Sequence, residues 1–283
     1  MLSAISAEAL KFTRHRATWG LVWIWPIGLI ALYLVAITIT LVVGGGEERG
    51  EATAAGWIAD AVGFWGVPAH PFGRYLIGAF VAVVFAGEYG WNTWKLIVPH
   101  RARTTLIAAK YVVALALLAI GFIAGALVFN VLGWLEDVVS GDPIPSGITA
   151  AALLKAHGAG ALRALAPLLL TTAYVSLAAI VTRSTVGALV IGLVITTLEQ
   201  IFTNFAPFME PYAPSLVGGL YRGLPGYHIA NLGDWIVEGQ ALTVPFPSGA
   251  YSASWEASAA VVAAWIIGLA ALTFWTFRRQ DIN

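Results

Sequence analysis

The sequence predicts an all-α polytopic membrane protein with six transmembrane helices and both termini on the cytoplasmic side. Three observations predict it. Of the 283 residues, 59% are hydrophobic and only 11% are charged, with a mean hydropathy of +0.81. A soluble domain carries about 25% charged residues and needs them to cover its surface. Six apolar runs then approach the roughly 20 residues that cross a hydrocarbon layer as helix. They are Leu21–Val43, Pro71–Gly87, Leu106–Leu132, Ala161–Val181, Val186–Phe205 and Ser258–Phe277. Finally, the basic residues gather on alternate loops. With the N-terminus inside, the inner segments hold Lys11, Arg14, Arg16, Lys95, Arg101, Arg103, Lys110, Arg183, Arg278 and Arg279, against the acids Glu8, Glu88 and Asp281. Cytoplasmic loops carry this excess of Lys and Arg.

Taken in order, residues 1–19 are expected to form an interfacial helix. Leu2, Ile5, Ala9 and Phe12 recur at helical spacing, with Lys11, Arg14 and Arg16 at headgroup level. A frayed basic tail is the simpler alternative. The run at 21–43 is too long for the apolar region of a signal peptide, and no small-residue cleavage site follows it, so it is read as a retained first span. The second run, 71–87, is short and carries Arg74 near one end. The third, 106–132, follows a basic loop. Only Thr182, Arg183 and Ser184 separate the fourth run, 161–181, from the fifth, 186–205, which predicts a tight helical hairpin. Pro26 and Pro167 fall inside spans, where neighbouring helices satisfy freed carbonyls. Residues 206–257 are aromatic and proline-rich, too apolar for a free linker, and are expected to form an extracytoplasmic loop with short helices. The sixth run, 258–277, ends in a basic tail. No soluble domain can be cut from the chain, so 1–283 reads as a single transmembrane domain.

Several chemistries are excluded. There is no cysteine, hence no disulfide and no thiolate ligand or nucleophile. No G-x-x-x-x-G-K-[ST], H-E-x-x-H or G-x-S-x-G motif occurs, and His15, His70, His100, His157 and His228 are scattered. No cofactor and no metal is expected on this chain. Glu199 is the clearest ionisable residue at membrane depth, which makes it a functional candidate. An ion pair with Arg163 across the hairpin is the favoured reading. Substrate contact, proton coupling and snorkelling to the outer interface are the alternatives.

The densest basic stretch is Glu88 to Lys110, "EYGWNTWKLIVPHRARTTLIAAK". Read as a helix over 88–99, it places Trp91, Trp94 and Val98 on one face and Lys95 on another. Pro99 disfavours helix at Val98 and is expected to end the element. Two tryptophans would anchor it at the inner headgroup level. An ordinary positive-inside loop is the plain alternative.

The order Glu88, Thr93, Lys95-Leu96, Pro99, Arg103, Lys110 resembles the first cytoplasmic loop of ABC-2 type transporter permeases. The tail "FWTFRRQDI" resembles the ending of the same family. Asn92 departs from the family's usual glycine before Thr93. The resemblance implies that 88–99 is a coupling helix that docks on a separate ATP-binding subunit. Glu88, Lys95, Arg101 and Arg103 would be its polar contacts, and Trp91, Trp94, Leu96 and Pro99 would shape the apolar seat. It further implies two ATP-binding subunits, which hold ATP and Mg, and a second permease, identical or homologous. The function implied is the permease subunit of an exporter in a prokaryotic plasma membrane, with an amphipathic substrate such as a drug, a peptide antibiotic or a lipid-like molecule. The chain itself would not be an enzyme, and no nucleic acid is implied. The alternative from another class is a membrane anchor or sensor whose large outer loop binds a partner.

Overall fold

The computed structural model describes residues 1–43, 53–90, 93–141 and 143–281. Helix dominates throughout. Its elements are α1 Leu2–Thr13, α2 Arg16–Leu21, α3 Ile24–Val43, α4 Ala54–Ala61, α5 Pro71–Gly90, α6 Trp94–Ile97, α7 Arg103–Ser140, α8 Ala150–Thr182, α9 Thr185–Met209, α10 Pro214–Gly223, α11 Pro225–Val237 and α12 Trp255–Arg279. A 3₁₀ segment, Gly63–Ala69, joins α4 to α5. Among the described residues, the only β pairing is one antiparallel bridge, Val244 to Tyr251.

Five helices, α5, α7, α8, α9 and α12, are long and apolar enough to cross a membrane. Within α3, Ile24–Ile39 forms a shorter apolar helix. At 1.5 Å rise per residue, 38-residue α7 is about 57 Å long, well beyond a hydrocarbon core of about 30 Å. It ends where Gly141 takes the left-handed conformation at φ 76°, its N–H returning to the Asp137 carbonyl.

α5 is the centre of the bundle, packed against α8 and α9. Ile77, Phe80, Val81, Val84, Phe85 and Ala86 are all fully buried. This helix can be short because other helices, rather than lipid, surround it. Gly73 lets the 3₁₀ segment fold back over its start: a Cβ there would lie 1.9 Å from the Val67 carbonyl oxygen. That atom is backbone and cannot swing away. Gly73→Ala should therefore cost about 1–3 kcal/mol by overpacking, read as a lower unfolding temperature in detergent.

The N-terminal residues divide where one interfacial helix was expected. α1 ends at Thr13, and His15 caps α2, its Nδ1 accepting from the Ala17 N–H at 3.1 Å. A second break at Val22–Trp23 sets α3 apart from α2. Pro26 consequently falls in the first turn of α3, where a missing N–H costs little. The face of α1 that carries Phe12 is inserted between helices, and Phe12 is fully buried. α3 crosses α7 at the small-residue pair Gly121 and Gly125, where Trp25 stacks on Phe122 at 4.8 Å.

Residues 210–257 build a separate module on α9 and α12. Ala206, Val217, Tyr221 and Tyr227 form its own apolar core. Asn231 fastens the loop after α11: its Nδ2 donates to the Ala253 carbonyl and Ser258 Oγ, and its Oδ1 accepts from the Leu242 N–H. His228 Nε2 faces the Arg222 carbonyl at 2.9 Å and Nδ1 faces Ser258 Oγ at 2.9 Å. These partners suit a neutral ring with its proton on Nε2. Burial pushes the His228 imidazole below its ordinary value, and the bond to the Arg222 carbonyl only partly opposes this. A depressed histidine means the unfolded chain binds the proton more tightly. Stability from this group is thus present above about pH 6.5 and is lost as the pH falls below it. Thermal unfolding should drop across that window in the native protein and flatten in His228→Gln.

Candidate functional site

The basic loop sits where α5 ends. α5 runs on through Glu88 to Gly90, and the Thr93 N–H returns to the Glu88 carbonyl at 3.0 Å. α6 then occupies only Trp94–Ile97, followed by a 3₁₀ turn over Val98–His100. The single helix expected over 88–99 is thus corrected to the end of one helix and the start of another. Pro99 sits in the first turn of the 3₁₀ segment, which lacks an N–H partner in any case, so Val98 keeps helical angles. Trp91 lies outside the described residues. Arg101 is extended, and Ala102 leads into α7 at Arg103.

Beneath this loop lies a neutral cluster of two acids and two lysines. Lys110 is fully buried and donates to Glu88 Oε2 at 2.7 Å and to the Val84 carbonyl at 2.7 Å, with Glu8 Oε2 at 3.5 Å. Lys11 pairs with Glu88 and, at 2.7 Å, with Glu8. Burial works against the Lys11 ammonium, but Glu88 and Glu8 outweigh it and hold its pKa above the ordinary lysine value. Three elements meet here: α1 gives Glu8 and Lys11, α5 gives Glu88, and α7 gives Lys110. Phe12 and Trp94 close the cluster with their rings, with Lys110 Nζ 5.5 Å and 5.2 Å from the two ring centroids.

The residues singled out from the sequence separate into two sets. Glu88, only 1% exposed, faces inward and holds lysines, so its carboxylate is not on the surface of the loop. Trp94 also faces inward and packs on Phe277 of α12 at 4.6 Å. Arg103 is half-buried and donates to the carbonyls of Phe277, Arg278 and Gln280 at 3.1, 3.0 and 2.5 Å. It thereby caps the C-terminus of α12, where carbonyls lack partners and the helix dipole favours a cation. Lys95, Leu96, Pro99 and Arg101 are exposed and form an outward ledge with His100. A single helical face could not reveal this division, because α1 and α12, far away in sequence, supply the inward partners.

Glu199 is buried between α5, α8 and α9. It pairs with Arg74, NH1 to Oε1 at 2.6 Å, and accepts from the Tyr174 hydroxyl at 2.9 Å. Arg74 Nε donates to Thr171 Oγ1 at 2.9 Å. The expected partner, Arg163, is exposed and lies beside Gly233 of α11 instead. Arg163 stands about 20 residues back from the turn at Arg183 and Ser184, Glu199 about 15 beyond it, which leaves them about 7 Å out of level at 1.5 Å per residue. The signal for the true partner was the charge carried by the short, central second span.

Residues 4–199 match the family model described as ABC-2 family transporter protein. The chain belongs to the ABC-2 transporter family. No curated protein and no solved structure matches it. An ABC-2 permease is a multi-pass membrane subunit of an ABC transporter and works with an ABC ATP-binding subunit. The matched region spans α1 to the middle of α9, and so contains the basic loop, its charge cluster and the Arg74–Glu199 pair. The module formed by residues 210–257 lies beyond it.

The loop is tied to three other elements: to α1 and α7 through the charge cluster, and to α12 through Trp94 and Arg103. Tyr89 adds a further tie, donating to Gln280 Oε1 at 2.5 Å.

Proposed function

We propose that this chain is the permease subunit of an ATP-driven exporter in a prokaryotic plasma membrane, moving an amphipathic substrate such as a drug, a peptide antibiotic or a lipid-like molecule. It spans the membrane six times with both termini in the cytoplasm. Two permeases, identical or homologous, work with two ATP-binding subunits that hold the ATP and Mg. Lys95, Leu96, Pro99 and Arg101 meet the ATP-binding subunit. Glu88, Trp94 and Arg103 fix the ledge from beneath. Closure of the ATPase dimer pushes the ledge, and the helices tied to it tilt as rigid bodies between two states.

The observation that carries this reading is the exposure of Lys95, Leu96 and Arg101 on a turn flanked by the inward-facing Glu88, Trp94 and Arg103. Exposed cations on a rigid support suit contact with a partner. The apolar residues left exposed along α7, α8 and α9 suit lipid and a second permease.

Co-purification of the tagged chain from native membranes tests it. A P-loop subunit should elute with the native chain, and its binding should weaken at least about tenfold in Lys95→Glu/Arg101→Glu, since like-charge contacts cost several kcal/mol. Retention of the subunit by that variant would contradict the docking assignment. A second reading, a membrane anchor or sensor, is favoured by the separate core of the 210–257 module. Elution without any ATPase would favour it.

A further inference from the structure

The 210–257 module carries a half-open pocket that the transport reading does not use. It measures about 170 Å³. At about 30 Å³ per liquid water, that is room for several waters or one small organic headgroup. Its walls include Glu210, Tyr221, Arg222, Phe246, Ser248 and Tyr251.

Glu210 is the unusual member. It is only 5% exposed. Its hydrogen bonds come from Ser248 alone: the Ser248 N–H reaches Oε2 at 3.2 Å and the Ser248 hydroxyl reaches Oε1. Among the described residues no cation pairs with it. A carboxylate accepts about four hydrogen bonds, so half of this capacity is unused. Buried charges are ordinarily paired, and an unpaired one facing a cavity marks a place for a cation.

The aromatic walls suit the same charge. The Tyr221 ring lies 4.9 Å from Phe246 and 5.7 Å from Tyr251, both nearly edge-on, and all three rings line the pocket. Ring faces attract ammonium groups. Burial pushes the Tyr221 phenol up to about 12, so it stays neutral. On the other side, the Arg222 guanidinium stands 5.5 Å from the Tyr251 ring centroid and lines the same space. A simple cation would be repelled there. A ligand with a positive and a negative group a few bonds apart satisfies both ends.

We propose that this cavity binds a zwitterionic headgroup, with an alkylammonium seated on Glu210 against the aromatic rings and an anionic group on Arg222. A phosphoethanolamine group has this chemistry, whether it heads a membrane lipid or belongs to a soluble ligand.

Calorimetric titration of the full chain in phosphatidylglycerol nanodiscs tests the proposal, using phosphoethanolamine, ethanolamine and inorganic phosphate as probes. Phosphoethanolamine should bind more tightly than ethanolamine, and phosphate alone should not bind. Glu210→Gln should weaken phosphoethanolamine at least about tenfold, because a charge-assisted bond is lost. Arg222→Gln should weaken phosphoethanolamine and strengthen ethanolamine, which that cation repels. Phe246→Leu keeps the Ser248 contacts and should weaken both, which guards against a folding defect in Glu210→Gln. In phosphatidylethanolamine nanodiscs, loss of phosphoethanolamine binding would identify the lipid as occupant. Unchanged binding there would identify a soluble ligand. Absence of binding by phosphoethanolamine in phosphatidylglycerol, or binding indifferent to Glu210→Gln and Phe246→Leu, would overturn the proposal.

Discussion

Glu88→Leu should destabilise the protein by about 3–5 kcal/mol, the cost of breaking a buried ion pair from one side. Glu88 is 1% exposed and Lys110 not at all. With the carboxylate removed, Lys110 keeps only Glu8 at 3.5 Å and the Val84 carbonyl. Lys11 loses one of its two acids as well. Burial of a charge without its partner is the expensive state, not the absence of the pair. The double variant Glu88→Leu/Lys110→Met should therefore recover most of the loss. Unfolding in detergent, followed by tryptophan fluorescence, reads these two variants, the single variant Lys110→Met and the native chain as a cycle. Equal stability of single and double variants would contradict the cluster as described.

Glu199→Leu should have a comparable effect, again about 3–5 kcal/mol, at the other polar site of the bundle. Arg74 is 3% exposed and would keep Thr171 as its one remaining partner. Its NH2 already has no partner among the described residues, so no neighbour is ready to replace the carboxylate. Arg74→Met/Glu199→Leu should fold nearly as stably as the native chain, since matched apolar residues often replace a buried pair without loss. That stable double variant also separates structure from transport. If it folds and still exports, the pair only holds α5 to α9. If it folds and fails, the pair belongs to the transport path.

The fold class was legible because apolar length and charge asymmetry are properties of single segments. Five of the expected spans coincide with helices long and apolar enough to cross. The helix ends were less legible. α7 and α8 continue 38 and 33 residues because helix does not stop where hydrophobicity does. The break at Val22–Trp23 lies inside an unbroken apolar run and left no compositional mark. At the basic loop, the side chains of Lys95 and Arg101 are exposed, as charge alone suggests. Those of Glu88 and Arg103 turn inward, because their partners come from α1, α7 and the end of α12. The same limit applies to Glu199: a buried acid announces that it needs a cation, but only packing decides which one.

Docking of an ATP-binding subunit on the ledge at Lys95–Arg101, as proposed, can be tested directly. The sequence has no cysteine, so Leu96→Cys introduces a unique thiol at a residue 71% exposed on that ledge. A thiol-directed crosslinker applied to native membranes is the direct measurement, with Tyr212→Cys in the 210–257 module, 90% exposed, as the control. The Leu96→Cys chain should crosslink to a P-loop subunit with a yield that changes with ATP, and Tyr212→Cys should give no such product. A P-loop subunit captured from Tyr212→Cys and not from Leu96→Cys would contradict that docking.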